Sequence, residues 1–184
     1  MIITANDIRK VKPIATNIVD IARIEPYISN TEVLDVMPAL KTLIFKQIEE
    51  KRVQNDQNDK VFDLENGAKK TIKKADFDAI FIPIFYNDNK NYSQGLVEAT
   101  AYLAYSRFLP NNVINATAFG IKIKNTEFSS DVPEASMYRQ VNEARKIGLE
   151  YLNQVIKYLT YLGLYSNTCE PNKVIIKRFK AIGR

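Results

Sequence analysis

The sequence predicts a mainly α fold: a helical bundle with one long C-terminal helix, an extended β-type arm and a strand-like basic tail. Three observations predict it. Apolar residues recur at helical spacing from Val33 to Ile48 and from Met137 to Leu162. Apolar and charged residues alternate within residues 111–130, which indicates an extended arm. Residues 171–184 are basic and include adjacent β-branched side chains, which favour an extended tail.

The N-terminal half carries the signals of two short helices and a longer one. The first short helix should end before Pro13, and the second should be interrupted at Pro26. Ser29 followed three residues later by Glu32 is a capping box, which predicts the start of the longer helix. We expect Pro38 to kink that helix. Its apolar stripe consists of Val33, Met37, Leu40, Ile44 and Ile48.

The sequence between residues 54 and 86 predicts its secondary structure less clearly. Residues 54–59 are rich in Asn, Asp and Gln, which predicts a loop. The lysine-rich segment 69–74 is typical of the exposed face of either a helix or a hairpin. The apolar run at residues 77–86 contains a proline, and its length fits a strand as well as a helix. Both alternatives stay open for this run.

A further helix and the arm follow a polar turn at residues 87–91. Ser93 should cap a helix of residues 96–109, which Pro110 stops. The arm at residues 111–130 then alternates as a strand or hairpin would. Because a lone hairpin is marginal in water, we expect contact with another subunit to order this arm.

The long C-terminal helix should begin after the cap Asp131 and end at Gly163, a span of about 30 residues. Its main stripe steps by four and three residues: Met137, Val141, Ala144, Gly148, Tyr151, Val155, Tyr158 and Leu162. A second apolar set lies off this stripe: Leu149, Leu152, Ile156 and Leu159. We interpret the second set as surface that assembly would bury.

The residue composition excludes several kinds of chemistry. Histidine is absent and cysteine occurs once, which excludes zinc sites, disulfide frameworks and Ser-His or Cys-His catalysis. Asp76 and Asp78 share a face only if their segment is a strand. Residues 87–98 match a calcium loop in part, but Asn87 replaces the first acid and Tyr92 the central glycine. We therefore predict a protein that is not an enzyme and that needs no cofactor or metal.

The net charge of +5 is concentrated at the C-terminus. Residues 171–184 contain five bases and no acid, so the rest of the chain is balanced. Phosphate-driven affinity needs many cations on one surface, and a balanced body argues against a duplex-binding face. No apolar stretch approaches the roughly 18 residues of a membrane span, so we expect synthesis in the cytoplasm and no membrane partner.

Three segments carry a resemblance to known proteins: Ile28–Leu40 (ISNTEVLDVMPAL), Gly95–Arg107 (GLVEATAYLAYSR) and Asn115–Lys124 (NATAFGIKIK). Residues 1–165 resemble a group of uncharacterised proteins encoded in phages and prophages of gut Bacteroidetes, including crAss-like phages. Their layout is similar to that of the head-to-tail connector (adaptor) proteins of tailed phages, which form rings of twelve beneath the portal. The group has glycine after the Ala-Leu pair, where this chain has Lys41.

The resemblance implies a structural virion protein that forms a connector ring between portal and tail around the DNA exit channel. It implies as partners eleven further copies of the chain, the portal protein, other connector or tail proteins, and channel DNA contacted without sequence specificity. It places the protein in the neck of the virion after synthesis in the host cytoplasm. The alternative function is a cytosolic nucleic-acid-binding protein that uses its basic tail.

The predicted organisation is one connector-like helical domain at residues 1–170, which includes the arm, and the extended tail at residues 171–184. The tail lies outside the resemblance. We expect it to dock on an acidic surface of the portal or of a neighbouring ring, with pairing on the chain's own arm as the alternative. The candidate interface residues are Phe119, Ile121, Ile123, Phe128, Val174, Ile176, Lys177, Arg178, Lys180 and Arg184.

Overall fold

The computed structural model describes residues 2–11, 21–54, 57–117, 120–123 and 134–165, and it confirms the mainly α class. The helices are α1 (Ala5–Val11), α2 (Ile21–Thr31), α3 (Met37–Leu40), α4 (Thr42–Gln54), α5 (Lys74–Asp78), α6 (Leu96–Val113) and α7 (Glu134–Tyr161). A π-helical turn, Glu32–Val36, joins α2 to α3. The strands are β1 (Lys60–Asp63), β2 (Lys69–Ile72), β3 (Ile84–Tyr86), β4 (Asn91–Ser93), β5 (Ile114–Thr117) and β6 (Gly120–Ile123). They form three antiparallel hairpins, β1–β2, β3–β4 and β5–β6.

Helix α6 packs along α7 and forms the centre of the core. Gly148 of α7 meets Leu103 of α6 at the closest point. A Cβ atom at position 148 would lie 2.7 Å from Leu103 Cγ and 3.0 Å from the Leu103 backbone nitrogen. Only glycine fits this approach without displacing the neighbouring helix. Three of the buried residues of α6 are alanines: Ala99, Ala101 and Ala104. Leu96, Leu103 and Phe108 are the large ones.

The long C-terminal helix is confirmed. Helix α7 has 28 residues, which corresponds to about 42 Å at 1.5 Å per residue. It ends as predicted at Gly163, whose φ is 72°. The N–H of Gly163 donates to the carbonyl of Thr160 (3.0 Å), and the N–H of Leu164 donates to that of Leu159 (2.9 Å). These two bonds form a Schellman cap. The predicted N-cap Asp131 lies outside the described residues.

The second apolar set of α7 is not free surface, and its interpretation as assembly surface is wrong. Leu152 and Leu159 are fully buried, and Leu149 and Ile156 pack against the core of the same chain. The reason is that α7 is covered from more than one direction, since α3 and β4 contact it in addition to α6. A helix enclosed in this way buries a wide apolar face rather than one narrow stripe.

Several predicted helix boundaries are wrong. Pro26 lies inside α2 and Pro110 inside α6, so neither proline stops its helix. A proline removes a single backbone hydrogen bond, and the complete burial of Ile24 and Ile28 supports α2 across that loss. Ser93 is not a helix cap, because it is a buried residue of β4.

The longer helix predicted through Ile48 is interrupted at Lys41. Pro38 lies in the first turn of α3, directly after the π-helical turn, and the kink predicted there stays a prediction. Lys41 has φ 65° and ψ 139°, a backbone conformation that residues other than glycine rarely adopt. Of the predicted stripe, Leu40, Ile44 and Ile48 are buried together with Val36, Met37 is partly buried, and Val33 is exposed.

The middle of the chain forms two hairpins. The loop predicted at residues 54–59 is confirmed for residues 57–59, which precede β1. Of the two alternatives for the lysine-rich segment 69–74, the hairpin is confirmed, since the segment contains β2. The run at residues 77–86 includes the end of α5, a turn and β3, so it is neither one strand nor one helix. The polar turn at residues 87–91 is confirmed, with three consecutive residues at positive φ.

The side-chain amide of Gln47 covers the outer edge of β1. Its Nε2 donates to the carbonyl of Asp63 (2.9 Å), and its Oε1 accepts from the N–H of Asp63 (2.7 Å). This pair of bonds reproduces the contacts that a neighbouring strand would make. Helix α4 therefore fixes the β1–β2 hairpin at one edge.

The predicted β-type arm contains the third hairpin. Ile114 pairs with Ile123 and Ala116 with Ile121 across β5 and β6. The strands occupy residues 114–117 and 120–123 of the arm predicted at 111–130. The tail at residues 171–184 lies outside the described residues, and the division of the chain at residue 170 stays a prediction.

The backbone of Lys41 gives a test of local strain. We expect Lys41→Gly to be more stable than Lys41→Ala by about 1–3 kcal/mol, because only glycine adopts this φ and ψ freely. Both variants lose the lysine side chain, so their difference isolates the backbone. At an unstrained position the order is reversed, with glycine less stable by about 0.5–1 kcal/mol. Urea unfolding of both variants measures the difference, and a glycine variant no more stable than the alanine variant would contradict the strain.

Candidate functional site

The π-helical turn Glu32–Val36 exposes apolar side chains. A π turn has more residues per turn than an α-helix and therefore shifts the direction of the following side chains. Glu32 and Val36 are buried, whereas Val33 and Leu34 are 48% and 59% exposed. Two adjacent apolar side chains therefore face solvent within the segment Ile28–Leu40 that carries the resemblance.

Glu32 anchors the N-terminal segment to this turn. Its Oε1 accepts hydrogen bonds from the backbone N–H groups of Ile2 (2.5 Å) and Ile3 (3.2 Å). The pKa of Glu32 is raised, because burial disfavours the carboxylate more strongly than the two hydrogen bonds favour it. The capping box predicted for Glu32 is wrong, since Ser29 lies within α2 and Glu32 binds a segment about 30 residues away in sequence.

Arg52 of α4 supplies a positive charge beside Glu32. Its guanidinium carbon lies 4.3 Å from the centre of the Phe81 ring. Burial lowers the pKa of Arg52, while the charges of Asp7 and Glu32 raise it. One guanidinium nitrogen, Nη1, is buried and has no hydrogen-bond partner in the described part of the chain. Arg52 thus offsets the buried acid by its charge and packs on an aromatic ring.

Asp35 ties the π turn to both long helices. Its side chain is only 6% exposed. Its Oδ2 accepts from Arg107 of α6 at 2.8 Å (Nε) and 2.7 Å (Nη2), and its Oδ1 accepts from Arg145 of α7 at 3.3 Å. Removal of one partner from a buried ion pair costs about 3–5 kcal/mol, because a charge remains without compensation. These contacts therefore fix the position of the π turn.

A group of aromatic side chains surrounds β3, and we call it the aromatic band: Phe85, Tyr86, Tyr92, Tyr158 and Tyr161. Phe85 lies against Tyr92 with ring centres 4.7 Å apart. Tyr86 lies 4.9 Å from Tyr158 and 5.2 Å from Tyr161. Burial, together with the nearby charge of Asp76, raises the pKa of Tyr158 to about 12. The band holds the β3–β4 hairpin on the C-terminal end of α7.

A cavity of about 370 Å³ lies where α7 ends. Lys41 Nζ donates to Glu65 Oε2 (2.6 Å) and lies 4.9 Å from the centre of the Tyr165 ring. The hydroxyl of Tyr165 donates to the carbonyl of Ala39 (3.4 Å). The side chain of the strained Lys41 therefore joins the β1–β2 turn to the end of the described chain. The cavity lining is Lys41, Ile44, Leu64, Glu65, Asn66, Gly163, Leu164 and Tyr165.

The acids that the sequence analysis considered do not form the predicted pair or calcium loop. Asp76 and Asp78 lie in α5, so the strand needed for their pairing is wrong, and Asp78 forms an ion pair with Lys74. The partial calcium loop is divided between the β3–β4 turn and α6, where Glu98 accepts a hydrogen bond from Gln94 (2.6 Å). No described group of acids and cysteine could hold a metal ion. No helix in the same ranges is long and apolar enough to cross a membrane.

The predicted interface residues are only partly described. Ile121 and Ile123 lie on β6, in the predicted arm. Phe119 and Phe128 lie outside the described residues, as do the tail candidates Val174, Ile176, Lys177, Arg178, Lys180 and Arg184. Sequence reasoning missed Val33 and Leu34 as surface, because it assumed one continuous helix through them. It also missed the Asp35 contacts and the aromatic band, which have no local sequence signal.

The described part of the chain is mainly α, with three hairpins and several exposed apolar side chains. The chain belongs to a protein family of unknown function, DUF6712, whose model matches residues 39–174. No curated protein and no solved structure matches the chain. The family match extends from α3 into the tail, so it includes the cavity and the aromatic band.

The buried carboxyl of Glu32 predicts an unusual pH dependence. A raised pKa in the folded state means that protonation of Glu32 favours folding, and that this contribution is lost as pH rises through the folded pKa. Glu32→Gln removes the titration but keeps an oxygen for the Ile2 and Ile3 N–H groups. We expect its stability relative to wild type to be greatest at neutral pH and to decrease towards pH 4.5, the ordinary pKa of glutamate.

Urea unfolding at a series of pH values measures this difference. The matched control is Glu50→Gln, because Glu50 lies on the surface of α4 and away from the N-terminal segment. A relative stability of Glu32→Gln that is constant with pH, or that rises as pH falls, would contradict a raised pKa.

Proposed function

We propose that the chain is a structural virion protein, not an enzyme, that forms a head-to-tail connector ring between portal and tail around the DNA exit channel. Its partners in this proposal are further copies of itself, the portal protein, and other connector or tail proteins. One observation carries the proposal: Val33 and Leu34 are exposed apolar residues inside a segment that resembles the phage proteins. A segment that served the chain's own core alone would not display them.

The fixed position of the π turn strengthens this argument. Glu32 binds the N-terminal segment and Asp35 binds α6, so Val33 and Leu34 cannot rotate inwards without breaking these contacts. An exposed apolar pair held in this way suits a contact with another protein. In a ring each subunit uses one patch against a different patch of its neighbour, and closure of the ring ends the series.

The β5–β6 hairpin supports assembly independently. A two-stranded hairpin is marginal in water on its own and is stabilised by a further surface. The neighbouring subunit of a ring would provide that surface. Ile121 and Ile123, on β6, are the described members of the candidate interface.

Removal of the exposed pair tests the proposal. We expect Val33→Ser with Leu34→Ser to weaken the association constant of each interface at least about tenfold, equal to about 1.4 kcal/mol, and so to lower the assembled fraction. Native mass measurement of the protein alone and mixed with portal determines this fraction. The control is Val53→Ser, which removes a more exposed apolar side chain (77%) from the end of α4. A strictly monomeric wild-type chain that is also missing from purified particles would contradict the proposal.

The arm provides a second variant for the same measurement. Phe119→Asp with Ile121→Asp should abolish assembly while helix content in circular dichroism stays unchanged. Global unfolding of this variant would instead show that the two residues belong to the core.

The alternative function is binding of nucleic acid by the basic tail, which the five bases of residues 171–184 favour. It predicts an affinity for duplex DNA that falls steeply with salt. Lys177→Gln, Arg178→Gln and Lys180→Gln together should reduce the slope of log affinity against log salt by about 0.9 for each lost phosphate contact. A filter-binding salt series measures the slope, and an unchanged slope would exclude this function.

A further inference from the structure

Strand β3 carries aromatic side chains on both of its faces. Phe85, 61% exposed, lies on one face with its cross-strand partner Tyr92. Tyr86 lies on the other face, because successive residues of a strand alternate. There it contacts Tyr161, which is 57% exposed although it belongs to the last turn of α7. The band therefore presents apolar surface on both sides of one short strand.

The edge of β3 is open among the described strands. β3 pairs with β4 through three residue pairs, and no other described strand joins this sheet. A hairpin of this size is marginal alone, and a third strand would stabilise it. The backbone N–H and C=O groups along an open edge are a template for such a strand.

The chain beyond the described residues starts just after the C-terminal end of α7. Tyr165 ends the last described segment, four residues after Tyr161 of the band. Residues 166–173 add eight residues, which span up to about 26–29 Å when extended. Val174 can therefore reach any part of the band without a change in α7.

The tail has the side chains that such an edge selects. Val174, Ile175 and Ile176 are consecutive β-branched residues, so a strand through them is apolar on both faces. An edge with aromatic rings on both faces matches that pattern, whereas an edge with one solvated face does not. The bases that follow, Lys177 and Arg178, can lie over the aromatic rings.

The edge of β2 is a poorer match for the same segment. Lys69 and Lys70 are exposed on β2 and would repel a basic strand. The edge of β1 is covered at Asp63 by the amide of Gln47. β4, the other strand of its sheet, already contacts α7, so β3 is the edge of the first two hairpins that suits the tail.

We propose that residues 174–179 of the chain's own tail add to the open edge of β3 as a third strand and cover the aromatic band. This inference goes beyond the proposed connector function and does not depend on it. The tethered tail binds its own β3 at a high effective concentration, because only eight residues separate it from Tyr165.

Hydrogen exchange of the full chain tests the proposal. We expect the amides of residues 174–179 to exchange at least about tenfold more slowly than in an unstructured peptide. Phe85→Ser with Tyr161→Ser should remove this protection and leave the amides of α6 unchanged. The matched control is Val33→Ser with Leu34→Ser, which removes equally exposed apolar side chains elsewhere and should leave the tail protected.

A reciprocal variant keeps the test valid if the first one misfolds. Val174→Ser with Ile176→Ser should speed exchange of the β3 amides at least about tenfold, because the strand that covers them is lost. This variant changes only the tail and leaves every described contact in place.

Three results would overturn the proposal. The first is a tail that exchanges in the full chain as fast as an unstructured peptide. The second is tail protection that survives Phe85→Ser with Tyr161→Ser, which would place the tail elsewhere, such as on the arm. The third is protection that disappears on about a hundredfold dilution, since a tail supplied by a second copy would dissociate. An intact connector assembly with an unprotected tail would refute this inference alone.

Discussion

The buried carboxylate of Asp35 is the contact on which the arrangement of the body depends. It joins the π turn to α6 through Arg107 and to α7 through Arg145, so one side chain fixes three elements. Glu32, three residues earlier in the turn, binds the N-terminal segment instead. The two acids leave the intervening Val33 and Leu34 facing solvent. The exposed apolar pair is thus a consequence of buried charge.

The two acids also differ in what they contribute to stability. Asp35 is compensated by two guanidinium groups, whereas Glu32 is buried against neutral N–H groups with Arg52 nearby. Burial is the larger effect on Glu32 and raises its pKa, so its proton favours folding. The contributions of Glu32 and Asp35 to stability therefore depend on their surroundings, although the two residues are only three positions apart.

Local sequence patterns predicted those elements of the fold that local interactions determine. The stripe of α7, its cap at Gly163 and the β-type arm followed from spacing and turn residues alone. The π turn did not, because its acids bind residues 30, 72 and 110 positions away in sequence. The helix boundaries predicted at the prolines of α2 and α6 were wrong, since tertiary burial outweighed one lost hydrogen bond. The break at Lys41 had no local sign, because lysine does not favour a positive φ.

Gln47 makes the two edges of the β1–β2 hairpin different. Its amide occupies the edge of β1 at Asp63 as a further strand would, so the sheet cannot extend on that side. On the opposite side, Lys69 and Lys70 would meet any added chain. The edge of β1 is therefore covered by the hydrogen-bonded amide of Gln47, and the edge of β2 carries two exposed lysines. A helix side chain and two surface lysines together limit this sheet to two strands and oppose its growth into fibrils.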